Sequence, residues 1–195
     1  MPEVSVAAII LAAGASTRFG SPKQLLDWRG QPLLRHVILQ ALTTPLSEIV
    51  VVLGAHFQRI APIMHGMPVT LTCNHRWQQG MSSSVALGLR ALQTDPDGAI
   101  FLLADQPEIS PELIGRMMTA FARTRAPIVV PDVGGRRGNP ALFASALFLE
   151  LMQVRGDQGG RALMQRYGKR MQWVQADERA LYDIDWPRDL DQRGM

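Results

Sequence analysis

Ala7-Ala8-Ile9-Ile10-Leu11-Ala12-Ala13-Gly14-Ala15-Ser16-Thr17-Arg18-Phe19-Gly20-Ser21-Pro22-Lys23 is the stretch from which the fold can be read. Its first five residues are a continuous apolar run, as expected of a strand buried on both faces rather than one alternating between core and water. The run passes directly into a loop of small residues, so a glycine-containing connection stands at the carboxyl end of a buried strand. Ile100-Phe101-Leu102-Leu103 repeats the buried-strand signature. Working outward, apolar runs alternate with helical patterns: Val4 to Leu11 then Pro32 to Leu42, Ile49 to Leu53 then Phe57 to Met64, Val69 to Cys73 then Ser83 to Leu92. Ala99 to Leu103, a helix over Pro111 to Arg123 and a strand over Ile128 to Val130 continue the series. Strand and helix in alternation predict an α/β fold with a mostly parallel sheet covered by helices.

Local punctuation supports these boundaries. In Ser110-Pro111-Glu112, Ser can cap, Pro suits the first helical position and Glu opposes the helix dipole. Val85, Gly88, Leu89 and Leu92 recur at helical spacing, which gives that helix one apolar face. Past Pro131 the pattern loosens into a glycine and arginine segment, Gly134 to Gly138, followed by two short helical stretches, with no internal repeat.

A length of 195 residues suits one domain spanning 1–195. Hydrophobic residues at 47% and charged ones at 19% exclude general disorder. The formal charge is +3, and all but two of the 20 basic residues are Arg, the exceptions being Lys23 and Lys169. No dense basic stripe accompanies that charge, so an anionic small molecule is expected as partner rather than nucleic acid. Cys73 is alone, which excludes an internal disulfide and a cysteine-rich zinc site and fits a reducing compartment. The apolar stretch Val4 to Ala13 lacks a basic flank and is too short to span a bilayer, so a cytoplasmic location without membrane attachment is expected.

In an open parallel sheet, ligands bind beyond the carboxyl ends of the strands. The loop after Leu11 lets backbone N–H groups approach a polyphosphate, and Arg18 and Lys23 add charge. It is neither a Walker A loop, since Lys23 does not directly follow Gly20, nor the dinucleotide fingerprint, since no glycine stands two residues after Gly14. An ordinary strand-to-helix connection is the plainer reading. Where Arg is otherwise the default cation, Lys23 is a compact point charge on a flexible stem, suited to following a phosphate as it is transferred. Asp105, in Ala104-Asp105-Gln106-Pro107, ends the second buried strand and could hold a metal ion facing that loop, with Asp183-Ile184-Asp185 as the source of a second carboxylate. Turn formation or helix capping would account for either Asp equally well.

The combination Leu-Ala-Ala-Gly-x-Ser-x-Arg-x-Gly-x-x-Lys resembles the loop of the nucleotidyltransferases related to molybdenum cofactor biosynthesis. Gly80-Met81-Ser82-Ser83-Ser84-Val85, Asp105-Gln106-Pro107, Gly135-Arg136-Arg137-Gly138, Gly156-Asp157-Gln158-Gly159 with Arg161, and Asp183-Ile184-Asp185 match the molybdenum cofactor cytidylyltransferase branch in order. The resemblance implies a Rossmann-like three-layer α/β/α sandwich. It also implies transfer of CMP from CTP to molybdopterin with release of pyrophosphate, and a client molybdoenzyme or its maturation chaperone as a further partner. It carries Leu11, Ala12, Ala13, Gly14, Arg18, Lys23, Gly80 and Ser84 over as nucleotide-binding residues, with Arg18, Lys23 and Asp105 acting in catalysis. Asp105 and Asp185 would hold Mg2+. Leu-Ala-Ala-Gly replaces the Leu-Ala-Gly-Gly common in guanylyltransferases, so Ala13 implies cytosine; for the serines of the second segment, N-capping their own helix is the competing role. Two departures stand out: Asn139 where the family has His, and Trp186-Pro187-Arg188 in place of Thr-Pro-Glu. A sugar phosphate or alcohol phosphate acceptor, or a nucleotide-binding module without turnover, are the other expectations. No covalent nucleophile is required, and His36, His56, His65 and His75 are expected to be structural or on the surface.

Overall fold

The structure is a computed structural model that describes residues 4–17, 19–186 and 189. In chain order the elements are β1 (Val6–Ala12), β2 (Asp27–Trp28), β3 (Gln31–Pro32), α1 (Leu33–Leu42), β4 (Ile49–Leu53), α2 (Phe57–Ile60), β5 (Thr70–Cys73) and α3 (Met81–Arg90). They continue with β6 (Gly98–Leu103), α4 (Pro111–Thr124), β7 (Ile128–Val133), β8 (Arg136–Arg137), β9 (Ala141–Ala144), α5 (Phe148–Gln153), α6 (Arg161–Arg166) and β10 (Gln172–Gln175). The main sheet runs β10-β7-β9-β6-β1-β4-β5, with β8 paired to β7. β1 lies between β4 and β6, parallel to both, and β5 is parallel to β4. All seven β1 residues except Leu11 are buried, as the uninterrupted apolar run requires.

Alternate residues of β1 serve two cores, which makes the fold a three-layer sandwich. Val6, Ala8, Ile10 and Ala12 face α1 and α4 and join Leu34, Val37, Ile38, Leu113, Ile114 and Met117. Ile9 faces the opposite layer with Val50 and Val52, against Val85 and Leu89 of α3 and residues of α5 and α6. At Gly88 a Cβ would fall 2.4 Å from Ile9 Cγ2 and 3.1 Å from Val52 Cγ2. α3 thus lies close against β1 and β4, which brings its N-terminal end beside the loop that follows β1.

Local starts and stops follow the chemistry of their residues. Ser110 caps α4 by accepting from Leu113 N at 3.3 Å, with Pro111 at the first turn. α3 begins at Met81, two residues before the expected start at Ser83, because Gly80 at φ +95° turns the chain into it. The helix expected over Phe57 to Met64 is α for its first turn and 3-10 from Ala61 to Met64, where Pro62 has no N–H to continue an α ladder.

The stretch after Pro131 departs from the sequence expectation. The two short helices are there as α5 and α6, but β8, β9 and β10 are present as well. β9 inserts between β6 and β7 and runs antiparallel to both, so the sheet is mixed though mostly parallel. Its apolar residues run straight into Ser145-Ala146-Leu147 and α5, and periodicity cannot divide such a run. Among the described residues no helix is long and apolar enough to cross a membrane.

Candidate functional site

The carboxyl ends of β1 and β6 lie side by side, Leu11 in register with Leu103, and Ala104 N donates to Leu11 O at 3.2 Å. This pairing sets the loop after β1 and Asp105 on one rim of the sheet. The loop is held from beneath by Gln24, only 4% exposed, whose Nε2 donates to Ala12 O at 2.8 Å and Gly14 O at 3.1 Å. Ser16 Oγ accepts from Lys23 N at 3.1 Å. Two carbonyls are thereby engaged on the protein side. Among the described residues, the N–H groups of Gly14, Ala15, Ser16 and Thr17 donate to no other protein group. A loop with engaged carbonyls and unspent N–H groups has the donors that an anion would need. Gly54 permits its close seating, since a Cβ there would meet Ala13 O at 2.7 Å and Trp77 Cβ at 2.7 Å.

Lys23 reaches across the rim. Its Nζ donates to Asp105 Oδ2 at 2.9 Å, Asp185 Oδ1 at 3.1 Å and Ile184 O at 2.6 Å. Asp185 is brought there because Ile184 is buried with Trp28 and Leu33 and donates its N–H to Asp105 O at 3.0 Å. Burial works against the ammonium, but the Asp105 carboxylate and then Asp185 outweigh it, so the Lys23 pKa lies above its ordinary value. Lys23 is therefore cationic at neutral pH. Desolvation, then repulsion from Asp105 and Asp185, pushes the Asp183 carboxyl up.

Two carboxylate oxygens converging within 3.1 Å of one nitrogen are a hard donor pair pointed at a single cation position. Among the described residues no group of three or more His, Cys, Asp or Glu is placed to hold a metal ion. That set fits magnesium, which takes one or two protein carboxylates and completes its shell with phosphate oxygens and water.

Three adjoining cavities, all lined in part by Leu11, open along this rim. One of about 290 Å³ is lined by Leu11, Ala12, Gly14, Lys23, Asp105 and Asp185, with Gln24 in its wall. A second of about 270 Å³ is lined by Ala13, Gly14, Gly80, Ser84 and Asp105, with Trp77 beside them. The third, of about 230 Å³, lies over Phe101 and Phe143 and carries Arg137, Asn139, Asp157 and Arg161. The structure thus brings together the nucleotide and metal candidates named from the sequence except Arg18, which lies outside the described residues, as do Pro187 and Arg188.

Ser84 is not a cap: the N-cap of α3 is Gly80, with no side-chain cap bond. Its Oγ instead accepts from Asn74 Nδ2 at 2.9 Å, and the same Nδ2 donates to Ser83 Oγ at 2.8 Å. Asn74 Oδ1 accepts from Arg76 N at 2.8 Å. A buried amide therefore positions the serine hydroxyl. The φ of +95° at Gly80 and the 2.5 Å from its hypothetical Cβ to Asp157 Oδ1 show why glycine stands there. Gln24, Asn74 and Trp77 are site residues that sequence reasoning missed; only the adjacency of Gln24 to Lys23 pointed at any of them. His36 is structural. Its Nε2 lies 3.1 Å from Pro107 O, an acceptor only, so Nε2 carries the proton and Nδ1 accepts from Gln31 Nε2 at 3.4 Å.

Residues 8–171 match the family described as the MobA-like NTP transferase domain. The chain is 31% identical over 173 residues to the nicotine blue oxidoreductase of Paenarthrobacter nicotinovorans, covering 83% of this chain and 82% of that one. It is 30% identical over 138 residues to a Bacillus cereus (strain AH187) protein named "Probable molybdenum cofactor guanylyltransferase", covering 71% of this chain and 66% of that one. Its fold superposes on Rv0371c of Mycobacterium tuberculosis H37Rv with a TM-score of 0.88 at 24% identity, covering 98% of each chain. A structure of that protein in complex with manganese gives a TM-score of 0.76 at 22% identity over 89% of each chain.

Proposed function

The chain belongs to the MobA-like NTP transferase domain family and is a nucleotidyltransferase of that family, and we propose that it transfers CMP from CTP to the phosphate of molybdopterin. The products are molybdopterin cytosine dinucleotide and pyrophosphate, and the whole chain serves as one transferase domain. The observation that carries this reading is the convergence of Lys23 on Asp105 and Asp185 at the edge of the loop after β1, with Ala13, Gly80 and Ser84 lining the adjoining cavity.

The loop N–H groups from Gly14 to Thr17 receive phosphate oxygens, with Arg18 and Lys23 supplying positive charge. Backbone at Leu11, Ala12 and Ala13 lies along the nucleotide, while Gly80 and the Asn74-held hydroxyl of Ser84 meet the base. Asp105 and Asp185 would hold a magnesium ion, which when bound neutralises phosphate charge and polarises the reacting phosphorus. The manganese complex of the Rv0371c fold relative is consistent with a divalent ion in such a fold. The acceptor occupies the cavity bearing Arg137 and Arg161, cations suited to an anionic molecule. One of its phosphate oxygens attacks the α-phosphorus in line; the bond from that phosphorus to the bridging oxygen breaks and its electrons leave with pyrophosphate. Lys23 donates to the departing oxygens, so the charge that develops is met by a group already in place.

GMP transfer is the second reading, favoured by the Bacillus cereus relative, and Ala13 in the position where guanylyltransferases commonly have Gly argues for cytosine instead. The test is pyrophosphate release from each of the four nucleoside triphosphates with a molybdopterin-loaded acceptor. CTP is expected to be used in preference to the other three. Equal use of GTP would overturn the choice of base, and turnover only with a sugar phosphate would overturn the acceptor.

A further inference from the structure

We propose that Lys23 is the resident counter-ion of the Asp105 and Asp185 pair, and that divalent metal gains this site only together with a nucleotide whose phosphates draw the ammonium away. The inference rests on the assignment of those two carboxylates as metal ligands, and it adds an order to the events at the site.

An ammonium has three N–H donors. All three are spent within the protein, on Asp105 Oδ2, Asp185 Oδ1 and Ile184 O. The Lys23 side chain is only 14% exposed, so displacing the head group exchanges three charge-assisted bonds inside the protein for hydration alone. A divalent ion bound at about 2.0–2.1 Å from both carboxylates would sit within the space Nζ holds and beside its positive charge. Two cations cannot share that position. Metal arriving alone must therefore expel a charge that has nowhere better to go.

A nucleotide changes the balance. The 290 Å³ cavity joins Lys23 to Gly14, Ser16 and Thr17 of the anion cradle, so a phosphate seated there offers charged acceptors within the sweep of the lysine stem. The backbone of Lys23 stays tied to Ser16 Oγ while the four-carbon chain turns. The released carboxylates then accept the metal that travels with the triphosphate. Because binding couplings are reciprocal, nucleotide raises metal affinity by the factor by which metal raises nucleotide affinity. Without substrate, the repulsion between the two carboxylates is offset by the same lysine that later serves the phosphates.

The test is titration of nucleotide-free protein with Mn2+, followed by loss of the free-ion signal in electron paramagnetic resonance. Wild type and Lys23→Arg are expected to show only weak binding, whereas Lys23→Met should take up one equivalent about 5- to 150-fold more tightly, the usual range of a site-to-site coupling. Asp185→Asn placed in the Lys23→Met background should remove the gain. One equivalent bound by wild type as tightly without nucleotide as with it overturns the proposal, and that comparison stands on the wild-type protein alone if the variant folds poorly. A gain that survives Asp185→Asn also overturns it. No acceptor enters this assay and no transfer is read, so absence of cytidylyl transfer would sink the functional reading and leave the counter-ion proposal standing, and the reverse holds.

Discussion

Substitution of Gln24 tests the cradle while leaving Lys23, Asp105 and Asp185 unchanged. Gln24 is buried, and its Nε2 holds Ala12 O at 2.8 Å and Gly14 O at 3.1 Å, while its Oε1 is buried without a partner among the described residues. Gln24→Met removes both donors. Each carbonyl left unpaired costs about 1–3 kcal/mol, offset by removal of the unpartnered Oε1 at a similar cost, so a net loss of about 1–3 kcal/mol is expected. For a chain of this size that lowers Tm by roughly 2–12 °C. Gln24→Glu is worse at pH 7, because a buried carboxylate would face two carbonyl oxygens with no proton to offer. Burial and those oxygens raise the folded-state pKa of the new Glu above its unfolded value. The folded protein then binds the proton more tightly, so the deficit of Gln24→Glu against wild type shrinks as pH falls from 7 to 5 and grows as pH rises. The assay is thermal unfolding across that range, with KM for CTP measured alongside; both variants should raise KM more than they lower kcat. A Gln24→Glu protein as stable as wild type at pH 7, or one whose deficit does not depend on pH, would refute the reasoning.

Asp105→Asn should cut turnover by about 10²–10³, the scale seen when one group stabilising transition-state charge is lost, while nucleotide binding falls far less; near-normal pyrophosphate release would remove Asp105 from the metal site. Gly88→Ala should destabilise by about 1–2 kcal/mol, because overpacking against Ile9 Cγ2 outweighs the helix propensity gained; unchanged denaturant midpoints would show that α3 is free to shift. Burial, with Arg29 adding to it against the Pro107 bond, holds the His36 pKa below its ordinary value. The unfolded chain then binds a proton that the folded chain does not, so His36 contributes stability present above about pH 6.5 and lost as pH falls through the folded pKa, at up to about 1.4 kcal/mol per pH unit. His36→Gln should flatten the decline in Tm on that acid side, and an unaltered slope would assign it to other groups.

How much of this was legible in the sequence depends on whether a residue's role is local. β1 and β6 declare themselves because a strand buried on both faces needs an uninterrupted apolar run, and their ends locate the rim where Leu11, Gly14, Lys23 and Asp105 gather. Ser110-Pro111-Glu112 could be read because capping acts within one turn. β9 could not, since Ala141 to Ala144 is continuous with the apolar residues of α5 and its place between β6 and β7 depends on long-range pairing. β10 buries only Val174 and was equally silent. Gln24 and Asn74 stayed hidden for a related reason. Each is a polar side chain whose value lies in partners about ten residues away, Ala12 and Gly14 for one, Ser83 and Ser84 for the other, and no spacing rule announces that contact. Asp185 was legible as a residue type, but its approach to Lys23 is made by the burial of Ile184 beside Trp28 and Leu33.

The central claim is attack at the α-phosphorus of CTP, with the loop from Gly14 to Lys23 holding the departing phosphates. It is tested most directly by following two labels through one turnover, CTP labelled at the α-phosphate and CTP labelled at the γ-phosphate, each incubated with molybdopterin-loaded acceptor and magnesium. The account predicts that the α label moves to the acceptor in a product with the mass of the cytosine dinucleotide, and that the γ label is recovered as pyrophosphate. Recovery of the γ label on the acceptor, or an α label that stays with free nucleotide, would contradict it.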